Sequence, residues 1–173
     1  IFQSTGRSAG LFANVDETQR EGIDLQFRGV FERVEIGLHY NFLKATFEDS
    51  FAALSPNHPF ADVSGEIAVV PGDYLPSNPK HKIQVFSELK ITEKWVLNPS
   101  LSFTSKQFLR GDESNQLPML DSYLLFDMTA AYRLTNYVTG YLKIDNLFDE
   151  DHENFGVIGE DPRSVIPDIS NSP

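Results

Sequence analysis

Apolar and polar residues alternate strictly along much of this chain, and that period of two fixes the backbone as extended before anything else is considered. Val34, Ile36, Leu38, Tyr40 and Phe42 fall on one side, and Glu35, Gly37, His39 and Asn41 on the other. Successive side chains of a strand point to opposite faces, so the segment separates an apolar environment from a polar one. The period recurs along Gly22–Phe31, where Ile23, Leu25 and Phe27 oppose Asp24, Gln26 and Arg28. It returns over Ile83–Ile91, Trp95–Thr104, Leu124–Tyr132 and Val138–Asp145. No segment carries a helical period, so the chain reads as all-β. The six strands form an antiparallel up-and-down meander, with an edge strand expected before Asn14.

The connections discriminate further. Glu32-Arg33, Thr92-Glu93-Lys94 and Thr135-Asn136-Tyr137 are tight links that keep the apolar phase across each hairpin. Residues 48–80, residues 106–120 and everything after Asp149 read instead as long irregular connections. Short and long links alternate, which puts all the tight turns at one end of the meander and all the loops at the other. A soluble sandwich has little use for loops beyond about 15 residues at one end only. A transmembrane β-barrel is built that way, with short periplasmic turns and long extracellular loops. Its tilted strands need roughly 9–11 residues, which these segments supply. Phe31, Phe47, Trp95, Tyr132 and Tyr137 at strand ends suit an interfacial girdle. A secreted β-sandwich binding module, adhesin or carbohydrate-binding, would share the alternation but leave its polar face in bulk water. A smaller passive barrel would need a closing strand that is not seen.

Charge narrows the partners. With 14 Lys+Arg against 25 Asp+Glu the net charge is −11, which argues against nucleic acid, because few cations are present to neutralise phosphates. The absence of Cys excludes a disulfide scaffold, a Cys-ligated zinc site and a thiol nucleophile. No apolar run is long enough for a transmembrane helix. The first residues lack the charged head and apolar run of a signal peptide, so a section of a longer chain is expected.

Four segments, in order, go beyond periodicity. Asn14-Val15-Asp16-Glu17-Thr18-Gln19-Arg20-Glu21-Gly22-Ile23-Asp24-Leu25 runs into the first alternating strand. Pro71-Gly72-Asp73, Leu75-Pro76 and Pro79-Lys80-His81 precede the third. Phe108-Leu109-Arg110-Gly111-Asp112-Glu113-Ser114-Asn115-Gln116 occupies the second long loop. Asp145-Asn146-Leu147-Phe148-Asp149, followed by Phe155-Gly156, closes the set. Together they resemble TonB-dependent outer-membrane receptors. The resemblance implies the C-terminal part of a barrel of about 22 strands, closed by a plug domain. Residues 1–173 would then be a fragment without the plug and without the final closing strand. The whole protein would sit in the outer membrane of a Gram-negative bacterium with its long loops extracellular. It would bind a metal chelate or other scarce small solute, such as a ferric siderophore. Its partners would be outer-membrane lipid, its own plug, and TonB, reached indirectly through the N-terminal part. The motif positions are expected to be structural; no residue stands out as a ligand contact, although Phe51, Phe60, Tyr74 and Phe108 lie in the loops.

Other candidates are weaker. His39, His58, His81 and His152 show no ligand spacing. Asp149-Glu150-Asp151-His152-Glu153 lacks the Gly hinge of a calcium loop and reads as a solvated acidic run. Arg110-Gly111-Asp112 is an adhesion tripeptide by letter, but inside the longer segment it reads as a turn. Asp24 and Glu35 share the polar face with no nucleophile near, and no phosphate loop or nucleophile elbow occurs. No enzymatic activity and no cofactor are expected.

Overall fold

A computed structural model describes residues 2–5, 7–12, 15 and 17–159. Strands β1 (Phe2–Thr5) and β2 (Arg7–Phe12) form a two-stranded antiparallel sheet of their own. A strand therefore does precede Asn14, but it pairs with β1 and is not an edge of the main sheet. Asn14 itself lies outside the described residues, as do residues 160–173.

The main sheet comprises β3 (Thr18–Val30), β4 (Val34–Phe47), β7 (His81–Lys90), β8 (Trp95–Thr104), β9 (Tyr123–Arg133) and β10 (Thr139–Ile144). Their order is β10-β9-β8-β7-β4-β3, all antiparallel, as a meander requires. The three tight links close hairpins at one end; in the first, Phe31 N–H donates to Val34 O at 2.8 Å.

Register carries the alternation across the whole sheet. Phe27 pairs with Leu38, Leu38 with Val85, Val85 with Leu101 and Leu101 with Phe126. Leu25, Tyr40, Ile83, Phe103 and Leu124 make the next row. Because side-chain period and pairing agree, every strand contributes to one apolar face. That face is open: among the described residues no second sheet covers it, and Leu25 and Phe27 are 55% and 61% exposed. A β-sandwich would bury these rows against a facing layer, so the sandwich alternative is not favoured. On the opposite face Arg28 pairs with Glu35 at 2.7 Å and His39 with Asp24 at 2.8 Å. The two acids are thus each held by a cation or ring, not by one another.

Two features depart from the sequence reading. Residues 48–80 are not wholly irregular: β5 (Phe51–Leu54) and β6 (Glu66–Val69) pair as a hairpin. These strands, of four residues each, are too short for alternation to register. In addition, β10 spans only 6 residues. It stops where Asn146 turns the chain at a φ of 50°.

The candidate site in the loop cluster

The loop end of the sheet is organised by β4, which runs past its neighbour. Phe42 pairs with His81, the first residue of β7, so Leu43 to Phe47 have no strand beside them on that side. The segment Pro71–Leu75 takes that place. Phe47 N–H donates to Asp73 O, Gly72 N–H to Phe47 O and Leu75 N–H to Ala45 O, at 2.8–2.9 Å. Ala45, Thr46 and Phe47 are buried there. Phe47 packs with Ala53, Ile67 and Val69 under the β5–β6 hairpin, its ring edge-on to Phe51. Phe47 therefore does not belong to an interfacial girdle, because the loop hairpin covers it. Phe31, Trp95 and Tyr137 at the tight-turn end are exposed, and Trp95 lies against Tyr132, ring centroids 4.8 Å apart.

The second loop is tied to the first through Asp112, whose side chain has no accessible surface. Its carboxylate accepts from Gln116 N–H and Leu117 N–H, both at 2.9 Å, and from His58 Nε2 at 3.0 Å. His58 is equally buried, and its Nδ1 accepts from Phe60 N–H. The ring proton therefore sits on Nε2 and points at Asp112, which satisfies both ring nitrogens. Ser55 Oγ donates to Gly111 O at 2.8 Å. Gly111 holds a φ of +98°, and a Cβ there would stand 3.0 Å from Ile158 Cβ, so the turn needs glycine. Asn115, at a φ of 56°, accepts from Tyr74 N–H and donates to Tyr74 O and Asp112 O. Burial pushes the Glu113 carboxyl above its usual range, and the Asp112 charge adds to this against hydrogen bonds from Gly111 and Glu113 N–H. Asp73 is raised for the same first reason, with Val70 N–H opposing.

The third loop docks on the second. Arg110 N–H donates to Gly156 O and Ile158 N–H to Arg110 O, at 3.0 and 2.8 Å, forming a parallel bridge. Gln107 Nε2 reaches Asn154 O. A Cβ on Gly156 would fall 2.3 Å from Leu109 Cδ2, so any larger residue here makes the Leu109 side chain move. Upstream, Asn146 N–H donates to Asp127 Oδ1, and its side chain spans to Glu150 N–H and O. Leu147 N–H reaches Phe126 O, Phe148 lies against Phe126, and Asp149, at a φ of 53°, closes the turn.

The sequence segments thus gather into one structure. Gly72, Asp73, Arg110, Gly111, Asp112 and Asn115 meet at the loop end of the sheet, joined by Phe155-Gly156. Pro79 is buried beside them and Pro71 is exposed at the turn. His81 bonds Tyr40 through Nδ1 at 3.0 Å and stacks on it, flanked by Phe42. Arg20 and Gly22 lie apart on β3, Arg20 exposed and bonded to Thr18. With Asp112 buried, Arg110-Gly111-Asp112 presents no carboxylate to solvent. The acidic run Asp149–Glu153 is exposed, and no cluster of metal-binding side chains occurs among the described residues. Sequence reasoning missed His58 and Ser55, because 54 and 56 residues separate them from their partners and no local spacing announces the contact.

Most buried polar groups of the cluster bond one another, although the buried Asn57 Nδ2 has no partner among the described residues, and Phe60 and Val63 in the turn of the β5–β6 hairpin are exposed. A family model described as the TonB dependent receptor-like β-barrel matches residues 1–147. The chain belongs to that family. Proteins of the TonB-dependent receptor family are outer-membrane transport receptors of Gram-negative bacteria, and the sheet is a stretch of such a barrel wall. No curated protein matches the chain. Among solved structures, the siderophore receptor PiuA from Acinetobacter baumannii superposes with a TM-score of 0.72 at 17% identity. The match covers 91% of this chain and 21% of PiuA. The ferric-catecholate import receptor Fiu from E. coli K12 gives 0.63 at 17% identity, covering 91% and 20%. The ferric yersiniabactin uptake receptor FyuA from Yersinia pestis gives 0.60 at 15% identity, covering 80% and 20%. The chain thus spans about a fifth of the length of the receptors it resembles.

Proposed function

We propose that residues 1–173 are a C-terminal stretch of barrel in a receptor that binds a scarce solute such as a ferric siderophore outside the cell and imports it. The carrying observation is the family match over 1–147, on a sheet whose tight turns and long loops separate to opposite ends. In this reading the apolar rows meet outer-membrane lipid and the polar rows line the lumen, where a plug domain of the same parent chain sits. The loops face outward, and the buried motif residues hold them in place. Import is energised through TonB, which reaches the barrel through the plug. The names of the receptors with the same fold favour a metal chelate as the solute. Binding supplies selectivity and plug movement supplies passage, with no covalent step and no cofactor.

The test uses the source bacterium. Strains lacking the parent gene, or TonB, would be given radiolabelled ferric catecholate, hydroxamate and mixed chelates. Loss of uptake of one chelate in both strains, restored by the gene, is expected. Unchanged uptake of every chelate in the gene-deleted strain would overturn the siderophore reading. On gels, the parent protein is expected as a membrane-bound band that shifts on boiling. A soluble, unshifted band of this chain's own size would overturn the barrel reading.

A further inference from the structure

We propose that the three outer loops are stabilised in series from the end of β4, with Asp112 as the junction through which the second and third loops are held. The order of attachment follows from the hydrogen bonds. The first loop is bonded to the wall itself, through Phe47–Asp73, Phe47–Gly72 and Ala45–Leu75. The second meets the first through His58–Asp112, Ser55–Gly111, Asn115–Tyr74 and Ser77–Phe108. Two of these links end on Asp112 or rest on its conformation, since its carboxylate also fixes the Gln116 and Leu117 amides that shape the turn carrying Asn115. The hydrogen bonds of residues 154–158 run to the second loop, through Arg110–Gly156, Arg110–Ile158 and Gln107–Asn154, while nearer the wall the His152 ring lies against Tyr123 at the start of β9. Apolar contact follows the same chain: the core around Phe47 belongs to the first loop, and Gly156 closes on Leu109 and Leu120 of the second.

Serial attachment has a directional consequence. Local opening occurs in cooperative units, and a unit that leans on another opens at least as often as its support. Disturbing the junction must therefore loosen the third loop, although no atom of residues 154–158 bonds to the Asp112 side chain. Disturbing the third loop must leave the first unaffected. A set of independent loops would show neither effect, and a single rigid cap would show loosening in both directions.

The experiment is backbone hydrogen exchange on the full receptor in detergent, with the boiling shift used to check that each variant keeps its barrel. The reporters are the Leu75 amide for the first loop, Leu120 for the second and Ile158 for the third. Asp112→Asn keeps the side-chain volume but sets an amide group against donors that the carboxylate accepted. Exchange at Leu120 and Ile158 is expected to quicken roughly tenfold or more, with Leu75 changed much less. Gly156→Val, which collides with Leu109, is expected to quicken Ile158 and leave Leu75 unchanged. An unchanged Ile158 amide in Asp112→Asn would overturn the junction, and a loosened Leu75 in Gly156→Val would overturn the series order. Exchange needs no solute, so this outcome is independent of whether the receptor takes up a siderophore.

Discussion

In the sheet, Leu25 and Phe27 stand more than half exposed, whereas at its loop end Phe47 and Asp112 have no accessible surface at all. The wall satisfies its backbone through regular strand pairing and leaves its apolar rows for an external apolar phase. Hydrocarbon tolerates such a face only because every internal backbone group is already paired. The loop cluster does the reverse. Thr46, Ser55, His58, Gln107, Asp112, Glu113 and Ser114 are buried there beside the core around Phe47. Its irregular backbone is satisfied by side chains, Asp112 and Asn115 foremost. On the proposed reading the contrast is one chain meeting two solvents: repetition suffices where a membrane supplies the apolar phase, while a water-facing end needs individually placed partners.

The largest effect should break the cluster and spare the wall. Asp112→Ala leaves the His58 ring and two amides without their buried acceptor, at about 1–3 kcal/mol for each buried donor left unsatisfied. Limited proteolysis of the full receptor should then cut within residues 48–80 and 106–120, while the boiling shift persists. Next, the wall can be broken from its lipid side. Leu38→Arg, at the middle of the stretch of β4 paired with β7, should cost about 2–4 kcal/mol in barrel stability, as arginine does near the bilayer midplane. His39→Arg, one residue away on the polar face, should cost far less in the same denaturant titration. Equal losses from the two variants would remove the assignment of faces.

Acidity sharpens the comparison within the cluster. Because the Glu113 carboxyl is raised in the folded state, its ionisation opposes folding. That penalty is absent below the ordinary carboxylate range and grows as pH rises towards the shifted value. Glu113→Gln should therefore stabilise the loops at neutral pH and lose this advantage on acidification, as measured by exchange at Leu120 across pH. The smallest effect should come from the exposed Lys106–Asp121 pair, 2.7 Å apart. Lys106 lowers the Asp121 carboxyl, but solvent screens the pair, so Asp121→Asn should leave loop exchange unchanged within error.

By itself the sequence determined the wall. Period two placed Ile23, Leu25, Phe27, Ile36 and Leu38 on one face because side-chain direction in a strand is a local property of the backbone, and tight links passed that phase to the next strand. The alternation of short and long connections likewise sorted turns and loops to opposite ends. The four ordered segments pointed to the family without revealing what their residues touch. Only the tertiary structure decided that Phe47 is core and not girdle, that β5 and β6 pair within the first loop, and that His58 meets Asp112. Those outcomes depend on which loop folds over which, and on close approaches at Gly111 and Gly156 that have no period to read. Contacts between residues more than 50 positions apart are fixed by the closure of the whole end of the sheet, not by any neighbour in the chain.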